Sequence, residues 1–225
     1  MGRIRSNKPL KNQGKAYSNF DKNVFINCPF DKNYYNPLLR PLLFTIIYLG
    51  FNPRISTESF DSGEIRIQKI SNLIRNSKFS IHDLSRIQSR KRKEIYRLNM
   101  AFELGIDIGC RLFAQGKEKN KKCLILEKER YRIRKALSDL SGADIKSHNN
   151  EPENIVRAVR DWFVENGLKR ATNANTIWQK FNNFMADFYQ QRKKEGYQDK
   201  DIEMMPVPEF IEFIKDWSKA NCSPR

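Results

Sequence analysis

Glu103 lies inside the apolar, glycine-bearing segment Asn99-Met-Ala-Phe-Glu-Leu-Gly-Ile-Asp-Ile-Gly109. Met100, Ala101, Phe102, Leu104, Ile106 and Ile108 surround it, so a helix here is apolar nearly all round, as buried helices are. An ionised carboxylate in that setting loses its hydration, a large penalty unless it is paired. Asp107 follows at i+4, a like charge on the same face, unfavourable by about 0.2–0.5 kcal/mol. Two acids on one face of an apolar helix fit the lining of a cleft. The alternative sets Glu103 at a solvated helix edge and pairs Asp107 with Arg111, itself at i+4. A partly buried carboxylate attracts developing positive charge strongly, and burial also raises its pKa, so nearby cations help to keep it charged.

Three further polar groups fall at the ends of apolar runs: Asn27-Cys-Pro-Phe-Asp31, Glu58-Ser-Phe-Asp-Ser-Gly-Glu64 and His82-Asp83-Leu-Ser85. In an open parallel sheet such ends flank the ligand crevice. Asp61 or Ser62 reads as a helix N-cap, or the amides after Gly63 hold a phosphate with Arg66 in the first turn. Asp83 at a strand end is suited to orient a hydroxyl pair or a base, whereas His82 reads as a structural histidine and Cys28 as a small buried cysteine. Walker A, GxGxxG and GxSxG sequences are absent, which argues against a P-loop nucleotidase, a Rossmann dehydrogenase and an α/β-hydrolase. The four cysteines are scattered without a CxxC pair, and with two histidines no metal-ligand spacing arises, so no metal or cofactor is expected.

The elements that must position these groups are legible as alternating runs. Strands are expected over 24–28, 52–57, 78–82, 123–126 and 144–147, with helices over 37–50, 64–76, 99–112 and 153–166. This alternation predicts a doubly wound parallel α/β sheet of about five strands over 23–168. A C-terminal helical extension occupies 169–225. There Ile177, Phe181, Phe184, Met185 and Phe188 share one stripe, and Phe210, Phe213, Ile214 and Trp217 another. Both read as a seam packing on the main domain or on a second subunit. Residues 1–22 read as a basic mobile arm.

The chain carries 42 basic and 26 acidic residues, a net charge of +16. Such a balance favours nucleic acid, nucleotide phosphates or an acidic partner, unless it serves solubility alone or follows from genome composition. The excess gathers in the arm, in 86–97 and in 117–122. The amino terminus lacks an apolar signal core, and the longest apolar run, over 41–51, is too short to span a bilayer. A cytoplasmic protein with free thiols is expected.

Val24-Phe-Ile-Asn-Cys-Pro-Phe-Asp31, Ile81-His-Asp-Leu-Ser85 and Met100-Ala-Phe-Glu-Leu-Gly105 together resemble the nucleoside 2-deoxyribosyltransferase-like superfamily, and the layout is similar to the neighbouring Toll/interleukin-1 receptor (TIR)-like domains of bacterial defence systems. The resemblance covers about residues 23–165. It implies a flavodoxin-like sheet and a helix-borne glutamate, Glu103, that attacks or stabilises charge at the anomeric carbon of a ribosyl group. Asp83 would bind sugar or base, and Asn27, Pro29, Phe30 and Asp31 would line the pocket. Apart from the resemblance, Asp61, Ser62, Gly63, Arg66, Asn99 and Asp107 are expected as further substrate contacts, and Asp83 is expected beside Glu103 as a catalytic residue. The transferases usually carry Gly-Thr where this chain has Asn99-Met-Ala101, which bears on the deoxynucleoside substrate more than on the glycosidic chemistry. The expected activity is cleavage or transfer at an N-glycosidic bond of NAD⁺ or another nucleotide in antiphage defence or signalling, in a homo-oligomer or a defence complex. The alternative is a non-catalytic nucleotide-sensing or nucleic-acid-binding module that uses the basic arm.

Overall fold

Five short apolar runs form five strands: β1 (Asn23–Asn27), β2 (Asn52–Ile55), β3 (Phe79–Asp83), β4 (Lys122–Glu127) and β5 (Ile145–Ser147). A computed structural model describes residues 19–86, 98–130, 132–140 and 142–221. The basic arm up to residue 18 and most of the 86–97 cluster lie outside the described residues. The strands lie in the order β2-β1-β3-β4-β5 and every neighbouring pair is parallel. This is the flavodoxin-like doubly wound order, whose switch point falls between β1 and β3. Both of those strands are buried along their whole length, as a sheet covered on two faces requires.

One face of the sheet is apolar. Val24, Ile26, Ile55, Phe79, Ile81, Leu124 and Leu126 alternate onto it and meet α2 (Arg40–Tyr48) and α5 (Pro152–Glu165). The expected helix over 37–50 begins earlier, with one turn at α1 (Lys32–Tyr34) capped by the Asp31 carboxylate, which accepts from the Asn33 amide at 3.1 Å. It then passes Pro37 as a π-helical stretch over Tyr35–Leu39. Proline has no N–H for the usual i→i−4 bond, and the wider turn absorbs that gap.

The extension folds as α6 (Ala174–Lys194), α7 (Asp199–Glu203) and α8 (Val207–Asn221). Its aromatic stripes do not face outward. Phe44 of α2 meets Phe181 and Phe184 at 5.5 Å and Trp217 at 5.9 Å between ring centroids. Buried Arg40 donates to the Ile202 carbonyl and lies 4.6 Å from the Phe210 ring, tying α7 and α8 to the same core. Of the two packings open to the seam, the chain's own main domain takes the apolar stripe. No helix among the described residues is long and apolar enough to cross a membrane.

The other face is covered by α3 (Arg66–Arg75) and α4 (Asn99–Phe113), and it is only partly apolar. Phe25 packs on Ile70, Leu73 and Ile74, while Met100 and Leu104 pack on Leu84, Ile125, Ile133 and Ile145. Between these clusters the sheet presents Asn27, Ser80 and His82, each buried.

Because Phe184 is fully buried among four aromatic rings, Phe184→Ala should cost about 3–5 kcal/mol. Urea denaturation of the full chain measures this as a lower midpoint. A surface-exposed seam would instead leave the midpoint unchanged.

Candidate active site

The cleft opens at the switch point, beyond the carboxyl ends of β1 and β3. It has a volume of about 480 Å³. Ile26 to Asp31 line one wall, Ser56 and Arg66 a second, and Leu98, Asn99, Met100 and Glu103 a third. Asn27, Pro29, Phe30, Asp31, Arg66, Asn99 and Glu103 therefore converge from three separate stretches of chain. Phe30 is 42% exposed, a large apolar ring left uncovered at the mouth. Ser56 and Leu98 join them without having been singled out by type or spacing.

Glu103 is buried, with its side chain 8% exposed. Its ion-pair partner among the described residues is Arg66, with a guanidinium nitrogen 3.6 Å from Oε1, beyond direct hydrogen-bond length. Burial raises the Glu103 pKa, and the charge of Arg66 offsets only part of that rise. Arg66 itself is largely exposed and stands at the first residue of α3.

One turn further along α4, Asp107 has the opposite surroundings. It faces the sheet and does not open into the cleft. Ser80 Oγ donates to Oδ2, His82 Nε2 lies 3.0 Å from the same oxygen, and the Lys121 ammonium is 3.0 Å from Oδ1. Lys121 is also buried and donates to the carbonyls of Ile74 and Ser77 at 2.8 and 2.5 Å. Burial alone would push Asp107 up. The hydrogen bond from His82, the charge of Lys121 and the Ser80 hydrogen bond together hold it down at about 2. Asp107 thus pairs with Lys121 and not with Arg111, because α4 turns this face toward β3 and the residue that precedes β4.

The tautomer of His82 follows from its neighbours. Asn27 Nδ2 lies 2.8 Å from the Met100 carbonyl, which can only accept, so this atom is the amide nitrogen. The same nitrogen is 3.0 Å from His82 Nδ1, which must then accept, leaving Nε2–H to donate to Asp107. Lys121, Asp107, His82 and Asn27 form one chain of polar contacts that ends on the backbone of α4 beside Glu103.

Asp83 is fully buried on the other face of the sheet, sealed from the cleft. It accepts from Tyr34 Oη at 2.5 Å and from the Ser85 amide at 2.8 Å, and His148 Nε2 lies 3.2 Å away. Burial acts to raise its pKa, but contact with His148 and these hydrogen bonds lower it overall. The Asn150 amide donates to His148 Nδ1, so the proton of that ring points to Asp83. His148 was not singled out by the sequence, although it follows β5 directly, the position that marked His82 and Asp83 as strand-end groups. Cys28 borders the cleft, but burial and the charges of Asp83 and Glu103 push its thiol well up, which suits a packed cysteine and not a nucleophile.

Asp61, Ser62 and Gly63 lie on an exposed loop outside the cleft lining. Asp61 accepts from the Gly63 amide at 2.9 Å within its own turn, and α3 starts after Ile65 without a side-chain cap. The N-cap expectation for Asp61 or Ser62 therefore gives way to a local Asx turn, which satisfies the loop before the helix begins.

His82, Asp107 and Cys123 bring potential metal-ligand atoms within 4.8 Å of one another. The set does not suit a cation. Lys121 already occupies Asp107, and burial pushes the Cys123 thiol up to about 12. Comparison with protein families, with curated proteins and with solved structures finds no match for this chain.

Asp107 has a folded pKa of about 2, below the ordinary value of about 4, so its stabilisation is complete above the latter and is lost as pH falls between them. The urea midpoint should fall over that window by the equivalent of about 2.5 kcal/mol, and Asp107→Asn should remove this part of the acid limb. Glu103 has the reverse sign. Its folded pKa is raised, so its charge opposes folding once pH exceeds that value. Glu103→Gln should leave the midpoint at pH 7 unchanged or higher, as a thermal melt beside the wild type would show.

Proposed function

We propose that this protein cleaves or transfers an N-glycosidic bond of a nucleotide, NAD⁺ first among them, with Glu103 as the carboxylate at the anomeric carbon. One observation carries the reading. Of the three buried carboxylates around the switch point, Asp83 and Asp107 are each held by several protein groups at hydrogen-bond or ion-pair distance, while Glu103 borders the cleft with Arg66 as its ion-pair partner at 3.6 Å. An acid kept in a cleft at a cost to stability is the pattern expected of a working group.

The chemistry follows from that placement. The C1′–N bond breaks with its electron pair leaving on the base, and the ribosyl centre becomes cationic. A desolvated carboxylate beneath it stabilises that charge, or closes on it as a covalent ester that water or a second nucleophile then opens. Arg66 would balance a substrate phosphate, the uncovered ring of Phe30 would stack on the base, and Asn27, Asp31 and Asn99 would meet ribose hydroxyls. Asp83 enters this reading as a positioning residue, through Tyr34 and the loop after β3. Asp107 holds α4 in register. The steps call for neither metal nor organic cofactor.

The resemblance to deoxyribosyltransferase-like and TIR-like proteins supports the same bond and suggests a defence or signalling setting, in which assembly into a homo-oligomer or with partner proteins would complete the enzyme. Incubation of the full chain, dilute and concentrated, with NAD⁺ and a panel of nucleosides and nucleotides tests the proposal. Chromatography with mass detection should find a released base, or a cyclised or base-exchanged product. Glu103→Gln should lower that turnover at least about 10³-fold while the protein stays folded. Nucleotide binding without turnover in every assembly state would overturn the reading in favour of a sensing module.

A further inference from the structure

At the amino-terminal edge of the sheet, opposite the cleft, a second concavity of about 1220 Å³ lies between the α2–β2 turn, the loop over 168–172, α6 and α8. Lys22, Lys169, Arg170, Lys180, Lys215 and Lys219 line it, and no Asp or Glu does. Lys215 and Lys219 each pair with an acid three residues earlier, Glu212 at 2.8 Å and Asp216 at 3.0 Å. Lys22 lies over the Phe51 ring at 4.9 Å. Lys169, Arg170 and Lys180 have no ion-pair partner among the described residues. Arg170 is also held at φ 53°, a left-handed conformation uncommon for a non-glycine residue.

Cations gathered in one concavity repel one another and focus a positive field outward. Solubility would be served equally well by spreading them. The remaining polar lining, Thr172, Ser218 and Asn221, is of the kind that donates to phosphate oxygens. A protein partner would need an exposed apolar or aromatic anchor at the centre, and the groove's apolar residues, Ile47, Tyr48, Leu49 and Leu168, are half or fully covered by the core. We infer that this groove binds the phosphate backbone of nucleic acid, at a site separate from the cleft. The inference does not depend on the glycosidic reading, because the two sites lie at opposite edges of the sheet.

Fluorescence anisotropy of the full chain with labelled single-stranded DNA, duplex DNA and RNA of one arbitrary sequence, across a salt series, tests it. Log affinity should fall linearly with log salt, with a slope of about −0.9 per phosphate contacted on duplex and about −0.7 on single strands. The variant Lys169→Glu/Arg170→Glu/Lys180→Glu should bind at least about tenfold more weakly and flatten the slope by about 2–3. The milder Lys169→Gln/Arg170→Gln/Lys180→Gln should fall between it and the wild type, with circular dichroism unchanged. Charge reversal at Arg3, Arg5 and Lys8 separates a contribution from the arm. Undiminished binding in the groove variants, a loss seen only on arm reversal, or absence of binding to all three probes would overturn the inference. So would equal affinity for polyglutamate with the same loss in the variants, since the site would then be one for acidic protein.

Discussion

The burial of Asp107 is the constraint on which the site depends. Its carboxylate draws Ser80 and His82 of β3 and Lys121, just before β4, onto one face of α4. Apolar packing alone would leave the position of α4 loosely specified, because its contacts with the sheet divide into two small clusters on either side of a polar strip. A charged group in that strip tolerates few arrangements, since each lost partner exposes a desolvation penalty that nothing else offsets. The bond from Asn27 to the Met100 carbonyl extends the same constraint to the end of β1. Orientation of α4 therefore fixes where Glu103 stands.

Glu103 and Asp107, one helical turn apart, show how strongly surroundings decide what a carboxylate can do. Both are desolvated by the same helix packing. Asp107 regains more than it loses through a histidine, a hydroxyl and an ammonium, and its pKa falls to about 2. Glu103 faces an exposed arginine across a gap, and its pKa rises. The first arrangement stabilises the fold, whereas the second leaves charge available to a ligand.

The two faces of the sheet divide the work in a related way. Stability rests on the apolar face, where α2 and α5 are backed by aromatic side chains of α6 and α8 in one continuous core. The opposite face can then accommodate a polar strip and an unsaturated acid. Asp83, with Tyr34 and His148, is the exception, a hydrogen-bonded carboxylate on the apolar side that secures the loop where β3 ends. The edges differ too, with the cleft at the carboxyl ends of the strands and the basic groove at their amino ends.

Five strands, their alternation with helices and seven of the cleft residues were legible in the sequence, because apolar periodicity and strand-end position are local properties. Val24 to Asp31 carries its own burial pattern and its own exit from the sheet. Glu103 stands out because a charge breaks an apolar helix. The partner of Asp107 was not legible. Spacing on the helix offered Arg111, but the contacts come from Ser80, His82 and Lys121, which only the stacking of α4 on β3 and β4 brings within reach. The sealing of Asp83 was likewise hidden, for its partners Tyr34 and His148 come from segments far apart in the chain. Sequence by itself determined which groups stand at the strand ends and that one helix carries two acids. Tertiary structure alone decided which of those acids is neutralised and which is left facing the cleft, because electrostatic pairing depends on distances across the sheet that no local pattern encodes.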